Sequence, residues 1–194
     1  MNCKRKLGAL ALLAGISMAP AMAASNLLVF DHGIGVIPVS SGPGPGSSAE
    51  TVNRNIVRGV QPPGNIWVIR ELRASVKDDA RIRVDGRGLL LGGGNNIGGT
   101  ANQSVMATLI CDASAPFTQY NSNPTGVPLD ANGDFRIDDT LSPAPPADCA
   151  SPVLLIRNLG GAWFAAGIVA HANWARPAFW QTSTAAASLE KKGS

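Results

Sequence analysis

Two apolar β-type runs bracket a loop with a cysteine near each end, and this arrangement constrains the chain more than any other feature. The first run is Ser104-Val105-Met106-Ala107-Thr108-Leu109-Ile110-Cys111. The second, Pro152-Val153-Leu154-Leu155-Ile156-Arg157, begins just after Cys149. Between them lies a loose, proline-rich connection that ends in Pro143-Ala144-Pro145-Pro146-Ala147-Asp148-Cys149. A disulfide between Cys111 and Cys149 closes that loop and pins the end of one strand to the start of the other. On the chain-entropy model such a closure is worth about 3–4 kcal/mol.

The cysteines carry this argument only in an oxidising compartment, and the N-terminus points to one. Lys4-Arg5-Lys6 is a positive n-region, Leu7 to Met18 a short apolar h-region, and Ala21-Met22-Ala23 a small-x-small cleavage pattern. Residues 1–23 therefore read as a signal peptide of bacterial type, which removes Cys3 and leaves one cysteine pair. No later run reaches the roughly 18 apolar residues of a membrane-spanning helix. The expected location is the periplasm or the medium.

The signal peptide also accounts for the basic balance. Of the 16 Lys and Arg residues, three are Lys4, Arg5 and Lys6, so the rest equal the 13 Asp and Glu in number. A nucleic-acid partner inferred from net charge therefore has no basis.

About 170 remaining residues suit one domain. Residues 24–172 read as short strands separated by turn residues, with no long amphipathic helix. Asn26 to Phe30 is a strand, Asp31-His32-Gly33 a turn, and Ile34 to Val39 an irregular or edge strand. Residues 41–48, rich in Gly, Pro and Ser, read as a flexible loop. Thr51 to Val60 has helical spacing at Val52, Ile56, Val57 and Val60 but is short. Ile66 to Val76 reads as one long strand with a bulge near Arg70-Glu71. Arg81 to Asp85 alternates polar and apolar residues, as a strand with one wet face does, and Gly86-Arg87-Gly88 breaks it. Leu89 to Leu91 continues as an apolar run, and a short strand falls around Phe117 to Tyr120. Asn132-Gly133 between Val127-Asp130 and Phe135-Asp138 is a hairpin signal, and Asn158 to Ala162 marks a second hairpin. The expected fold is all-β, a single antiparallel β-sandwich, immunoglobulin-like in architecture only, with one disulfide. A barrel is the other all-β solution. Residues 173–194 read as a partly disordered tail. In it Trp174, Phe179 and Trp180 either cap the sandwich or form a partner-binding site.

Each candidate site has a plain structural reading beside the chemical one. Asp130, Asn132 and Asp134 place oxygen ligands at alternate positions, as the start of a calcium loop does. Phe135 and Leu141, however, stand where that loop wants Gly and a carboxylate. Gly92 to Gly99 matches no phosphate-cradle spacing. His32 and His171 are the imidazole candidates for a base, with no G-x-S-x-G elbow to serve. Arg81, Arg83 and Arg87, with Arg70 and Arg73 nearby, form a basic stripe able to bind an anionic glycan or lipid head group. Glu71, Asp78, Asp79 and Asp85 are positioned to neutralise it as an ordinary solvated face. Asn102-Gln103-Ser104 matches a glycosylation sequon, which has little meaning for a bacterial export signal.

No catalytic residue and no cofactor signature emerges. The leading expectation is an exported, non-catalytic binding or envelope-associated module whose partner is an envelope protein or a glycan. The alternatives are a secreted hydrolase with a Ser/His/Asp-type site and a calcium-stabilised extracellular module.

Overall fold

The structure, a computed structural model, describes residues 23–44, 46 and 50–170. The expected signal peptide up to Met22, His171 and the Trp174–Trp180 segment lie outside the described residues.

The described chain is all strand and turn. In order, the strands are β1 (Asn26–Gly35), β2 (Val39–Pro43), β3 (Glu50–Arg54), β4 (Trp67–Val68), β5 (Glu71–Lys77), β6 (Arg81–Arg87) and β7 (Leu90–Leu91). They continue with β8 (Ser104–Ile110), β9 (Gln119–Asn121), β10 (Val127–Pro128), β11 (Phe135–Thr140), β12 (Val153–Asn158) and β13 (Trp163–Val169). Nine of them form one antiparallel sheet in the order β10-β8-β12-β13-β1-β5-β6-β11, with β9 also paired to β8. Two further pairs, β2-β3 and β4-β7, stand apart from it.

This order forces the sheet to curl. Strands β10 and β11 occupy its opposite ends, yet only the short turn from Leu129 to Asp134 joins them. The ends must therefore meet. They do so at the end of β9 and just beyond β11, where Asn121 and Ser142 each donate a backbone N–H to the other's carbonyl at 3.0 and 2.8 Å. The hydrogen bonding thus describes one continuous curled sheet, with few free edges left to attract foreign strands.

Alternation in the sequence decides which way each strand faces. On β5, Leu72, Ala74 and Val76 are buried while Arg73 is exposed, and on β6 Ile82 and Val84 are buried between exposed Arg81, Arg83 and Arg87. Phe30, Leu72 and Leu154 converge on Gly167, each within 3.3 Å of where a β-carbon would stand. Burying aliphatic side chains of this size contributes roughly 1.5–3 kcal/mol apiece. Strand β8 is buried along both faces from Val105 to Ile110, which is why its sequence is a continuous apolar run rather than an alternation. On β13, the main-chain N–H of Trp163 donates to Gln61 O and its indole Nε1–H to Asn55 O, both at 3.0 Å. These bonds tie the Asn55–Gln61 segment to the sheet.

The disulfide joins Cys111 to Cys149 as the loop argument requires. The β12-β13 hairpin also follows the sequence reading. Asn158 N donates to Ala162 O and Gly161 N to Asn158 O, and Gly161 takes the left-handed φ of 90° that the turn needs.

Several local expectations are corrected. Asp31-His32-Gly33 is not a turn but a bulge inside a continuous β1, with His32 at a φ of 70° and the register slipping between Phe30 and Gly33. The single strand expected over Ile66–Val76 is two, because β4 pairs with β7 whereas β5 pairs with β1 and β6. Strand β6 runs through Gly86 to Arg87 and breaks only at Gly88, whose φ is 66°. The helical spacing after Thr51 is overridden by pairing of β3 with β2. Asn132-Gly133 does sit in a tight turn, but its arms are no hairpin, since β10 pairs with β8 and β11 with β6. A turn signal reports local geometry and is silent about which strands its arms will join.

Candidate functional site

The most developed surface is the outer face of β1, β5, β6 and β11. Registry aligns one row of charges across all four strands. Asp31 lies opposite Arg73, Arg73 opposite Asp85, and Asp85 opposite Arg136, so the sign alternates at every step. The contacts follow the registry. Arg73 Nε is 3.5 Å from Asp31, and Arg136 Nε is 3.8 Å from the Asp85 carboxylate. Neighbours along each strand add further pairs: Arg73 with Glu71 at 3.1 Å, Arg83 with Asp85 at 3.1 Å and Arg81 with Asp79 at 2.7 Å. Each of these pairs is well exposed, so each contributes about 0–1 kcal/mol to stability. Their combined effect is to hold a dense, overall balanced lattice of guanidinium forks and carboxylates in fixed order.

The stripe of Arg81, Arg83 and Arg87 is therefore real as geometry and neutralised as electrostatics. Arg70 joins the same balance, with Nη2 at 3.9 Å from Asp134. Over this face lies an open polar cleft of about 640 Å³, whose lining includes Arg73, Arg83, Arg87, Arg136, Glu71 and Asp85. A shallower depression of about 440 Å³ adjoins it beside Val29, Asp31 and Ser75. The two share Arg73, Arg83 and Asp85. Among the described residues, no Ser, Cys or His lines the larger cleft.

Asp130, Asn132 and Asp134 do come together, in the turn that joins β10 to β11. The Asn132 and Asp134 side chains are turned on one another and on the backbone, and Asp130 takes part through its main chain. Asp134 Oδ1 accepts the Gly88 N–H at 3.0 Å, and Asp134 Oδ2 accepts from Asn132 Nδ2 at 3.0 Å. Asn132 Oδ1 accepts the Asp134 N–H at 3.1 Å. The turn is closed by Gly133 N donating to Asp130 O and Asp130 N donating to Asp134 O. The arrangement holds the turn against the Gly88 bend at the end of β6. Among the described residues no group of three or more His, Cys, Asp and Glu gathers as metal ligands would.

His32 is exposed on the β1 bulge with Nδ1 3.6 Å from Asp31. The Gly92–Gly99 loop spends its amides internally. Ile97 N donates to Gly94 O, Gly98 N to Leu91 O and Gly99 N to Asn96 O, so these amides are not offered to an anion.

One polar cluster escaped the sequence reading. Arg157 is half-buried and reaches Gly161 O, Thr108 Oγ1 and Gln119 Oε1 at 2.9, 3.2 and 2.7 Å. Burial pushes its guanidinium below the usual arginine range. Its partners are all neutral and come from three separate segments, so the cluster ties β8, β9 and the β12-β13 turn together. In the sequence Arg157 stands only as the last residue of the run Pro152–Arg157, with nothing to mark its partners.

No family model matches the chain, and no curated protein and no solved structure proves similar to it.

Proposed function

We propose that the protein is an exported, non-catalytic binding module of the bacterial cell envelope, and that it binds a polar, hydroxyl-rich ligand such as an envelope glycan on the outer face of β1-β5-β6-β11. One observation carries this reading: the polar cleft of about 640 Å³ is walled by arginines and carboxylates in alternation, and among the described residues no Ser, Cys or His lines it. Guanidinium groups donate to sugar hydroxyls and ring oxygens, and carboxylates accept from hydroxyls. A balanced array suits a polyol better than it suits a polyanion, which would meet the acids. Export to the periplasm or medium is part of the same reading. It rests on the N-terminal sequence and on a disulfide of the kind that persists in oxidising compartments. A sandwich-like, two-layered packing of the curled sheet belongs to this reading as well, with the charged face as its outer surface.

The test is equilibrium binding of the purified protein to soluble fragments of envelope polysaccharide. The Arg83→Ala/Arg136→Ala double variant is expected to lose at least tenfold in affinity with an unchanged melting temperature. Absence of binding to any such fragment, or binding that survives the double variant, overturns the assignment.

A further inference from the structure

The β2-β3 ribbon stands off the curled sheet. It forms a two-stranded sheet of its own. Its base is tethered where Asn55 Nδ2 donates to Ile37 O at 3.1 Å and Arg54 Nη2 to Pro62 O at 2.6 Å. A two-stranded ribbon alone is marginal in water, and three or more strands are the ordinary minimum.

The two long edges of the ribbon differ. Val39 is in register with Arg54, and one step further on Asn55 N donates to Pro38 O at 2.9 Å. Bonded pairs alternate along an antiparallel ladder. The pairs Asn53/Ser40 and Thr51/Gly42 are therefore the bonded ones, and the main-chain groups of Glu50, Val52 and Arg54 point away from β2. The same alternation places Val39, Ser41 and Pro43 on the free edge of β2. Pro43 has no N–H to offer, so that edge is blunted. The free edge of β3 has no proline. Among the described residues, Arg54 O alone of its carbonyls is engaged, by Ile56 N at 3.0 Å, and it keeps a second lone pair. At the centre of this edge Val52 is 64% exposed.

The residue order of β3 is complementary to itself. Glu50-Thr51-Val52-Asn53-Arg54 laid antiparallel on a second copy about Val52 sets Val52 against Val52, Thr51 against Asn53, and Glu50 against Arg54, residues of opposite charge. Shifting the register loses the charge match. We propose that β3 is a self-association edge, through which two copies of this chain pair about a two-fold axis at Val52 and merge their ribbons into one sheet in the order β2-β3-β3-β2. Such an isologous contact closes on itself and gives a dimer.

The decisive test uses Val52→Cys. Paired across the two-fold axis at a bonded position, the two Cα atoms stand about 5.5 Å apart, within disulfide reach. Cys111 and Cys149 are already joined to each other. Mild oxidation is expected to convert Val52→Cys to a covalent dimer at least tenfold faster than Val39→Cys, which lies on the blunted edge. In parallel, sedimentation velocity should show a concentration-dependent dimer for the unaltered protein and a monomer for Val52→Pro. That change removes only the outward N–H and leaves the β2-β3 bonds intact. Equal cross-linking of the two cysteine variants overturns the proposal. So does a monomer at every concentration of the unaltered protein, or a dimer that persists in a folded Val52→Pro. Should Val52→Pro fail to fold, the cross-linking comparison decides alone.

Discussion

Gly35 lies so close beneath Trp67 that a β-carbon on it would come within 2.2 Å of the Trp67 carbonyl oxygen and 2.7 Å of the Val68 Cα. The contact explains how β4 reaches the main sheet. The Trp67 N–H donates to Val36 O at 3.0 Å, and the indole ring stacks on Phe164 at 4.0 Å between centroids. Gly35→Ala must push β4 away from β1 and disturb that stack. It should cost about 1–3 kcal/mol, the usual range for overpacking a close backbone contact. Urea denaturation followed by tryptophan fluorescence measures it. A change under a few tenths of a kcal/mol would show that β4 is free to move.

The disulfide closes a loop with a sequence separation of 38. Chain entropy for that length gives about 4 kcal/mol at 25 °C. The Cys111→Ala/Cys149→Ala variant should lose about that much, measured by denaturant unfolding against the oxidised protein. Cys111 and Cys149 are both buried, so loss of their sulfur atoms leaves a small cavity whose cost adds to the unfolded-state term. An unchanged unfolding midpoint in the variant contradicts this account.

What the residues disclosed in advance was whatever depends on neighbours in the chain. The alternation of Arg81 to Asp85 already told which side chains of β6 face water. The run of Ser104 to Ile110 told of a strand, but not that both of its faces would be covered. Asn158 to Ala162 named its own turn, and the cysteine pair its own bond. What stayed hidden was partner choice. Nothing in Asn132-Gly133 says that the arms of its turn will join opposite ends of a sheet, and nothing in Arg73 says that Asp31 and Asp85 will flank it. The charge lattice exists only once β1, β5, β6 and β11 are in register, so the sequence offered the basic stripe and its counter-charges without the order in which they alternate. The β2-β3 ribbon was obscured differently. Its strands flank a Gly- and Pro-rich segment whose composition reads as loop and masks the pairing on either side.

Asp78 supplies a pH dependence whose sign is determined by its partners. Ser25 Oγ and Ser25 N donate to Asp78 Oδ2 at 2.8 and 3.2 Å, and Asp78 N donates back to Ser25 O at 3.1 Å. The Ser25 hydroxyl foremost, and then its amide, hold the Asp78 carboxyl below its ordinary value of 3.8. A carboxyl lowered by folding stabilises the native state above its unfolded-state value, and the benefit is lost as pH falls through the lowered one. Asp78→Asn should therefore melt below the unaltered protein at neutral pH. The gap should begin to close as pH approaches 3.8 and vanish below it. A gap that widens on acidification reverses the assigned sign. The effect is small, because the site is fully exposed to solvent.

Asp85 is the carboxylate on which the outer face turns, with Arg83 at 3.1 Å, Arg136 at 3.8 Å and Arg73 directly across the β5-β6 register. Asp85→Asn leaves three arginines on neighbouring positions with no anion between them. Since these groups are exposed, the direct loss is held to about 1 kcal/mol or less. Repulsion among exposed arginines is screened over roughly 8 Å at physiological ionic strength, so added salt should restore part of the stability. Ligand selection should move the other way. The unaltered face suits a neutral, hydroxyl-rich ligand, whereas the variant should gain affinity for sulfated or carboxylated polysaccharides at low salt. Melting curves at low and high salt and a paired titration with neutral and anionic glycans measure both effects. A salt-independent loss of several kcal/mol would mean that Asp85 holds the fold rather than balances the face. Unchanged glycan preference would remove the charge lattice from recognition.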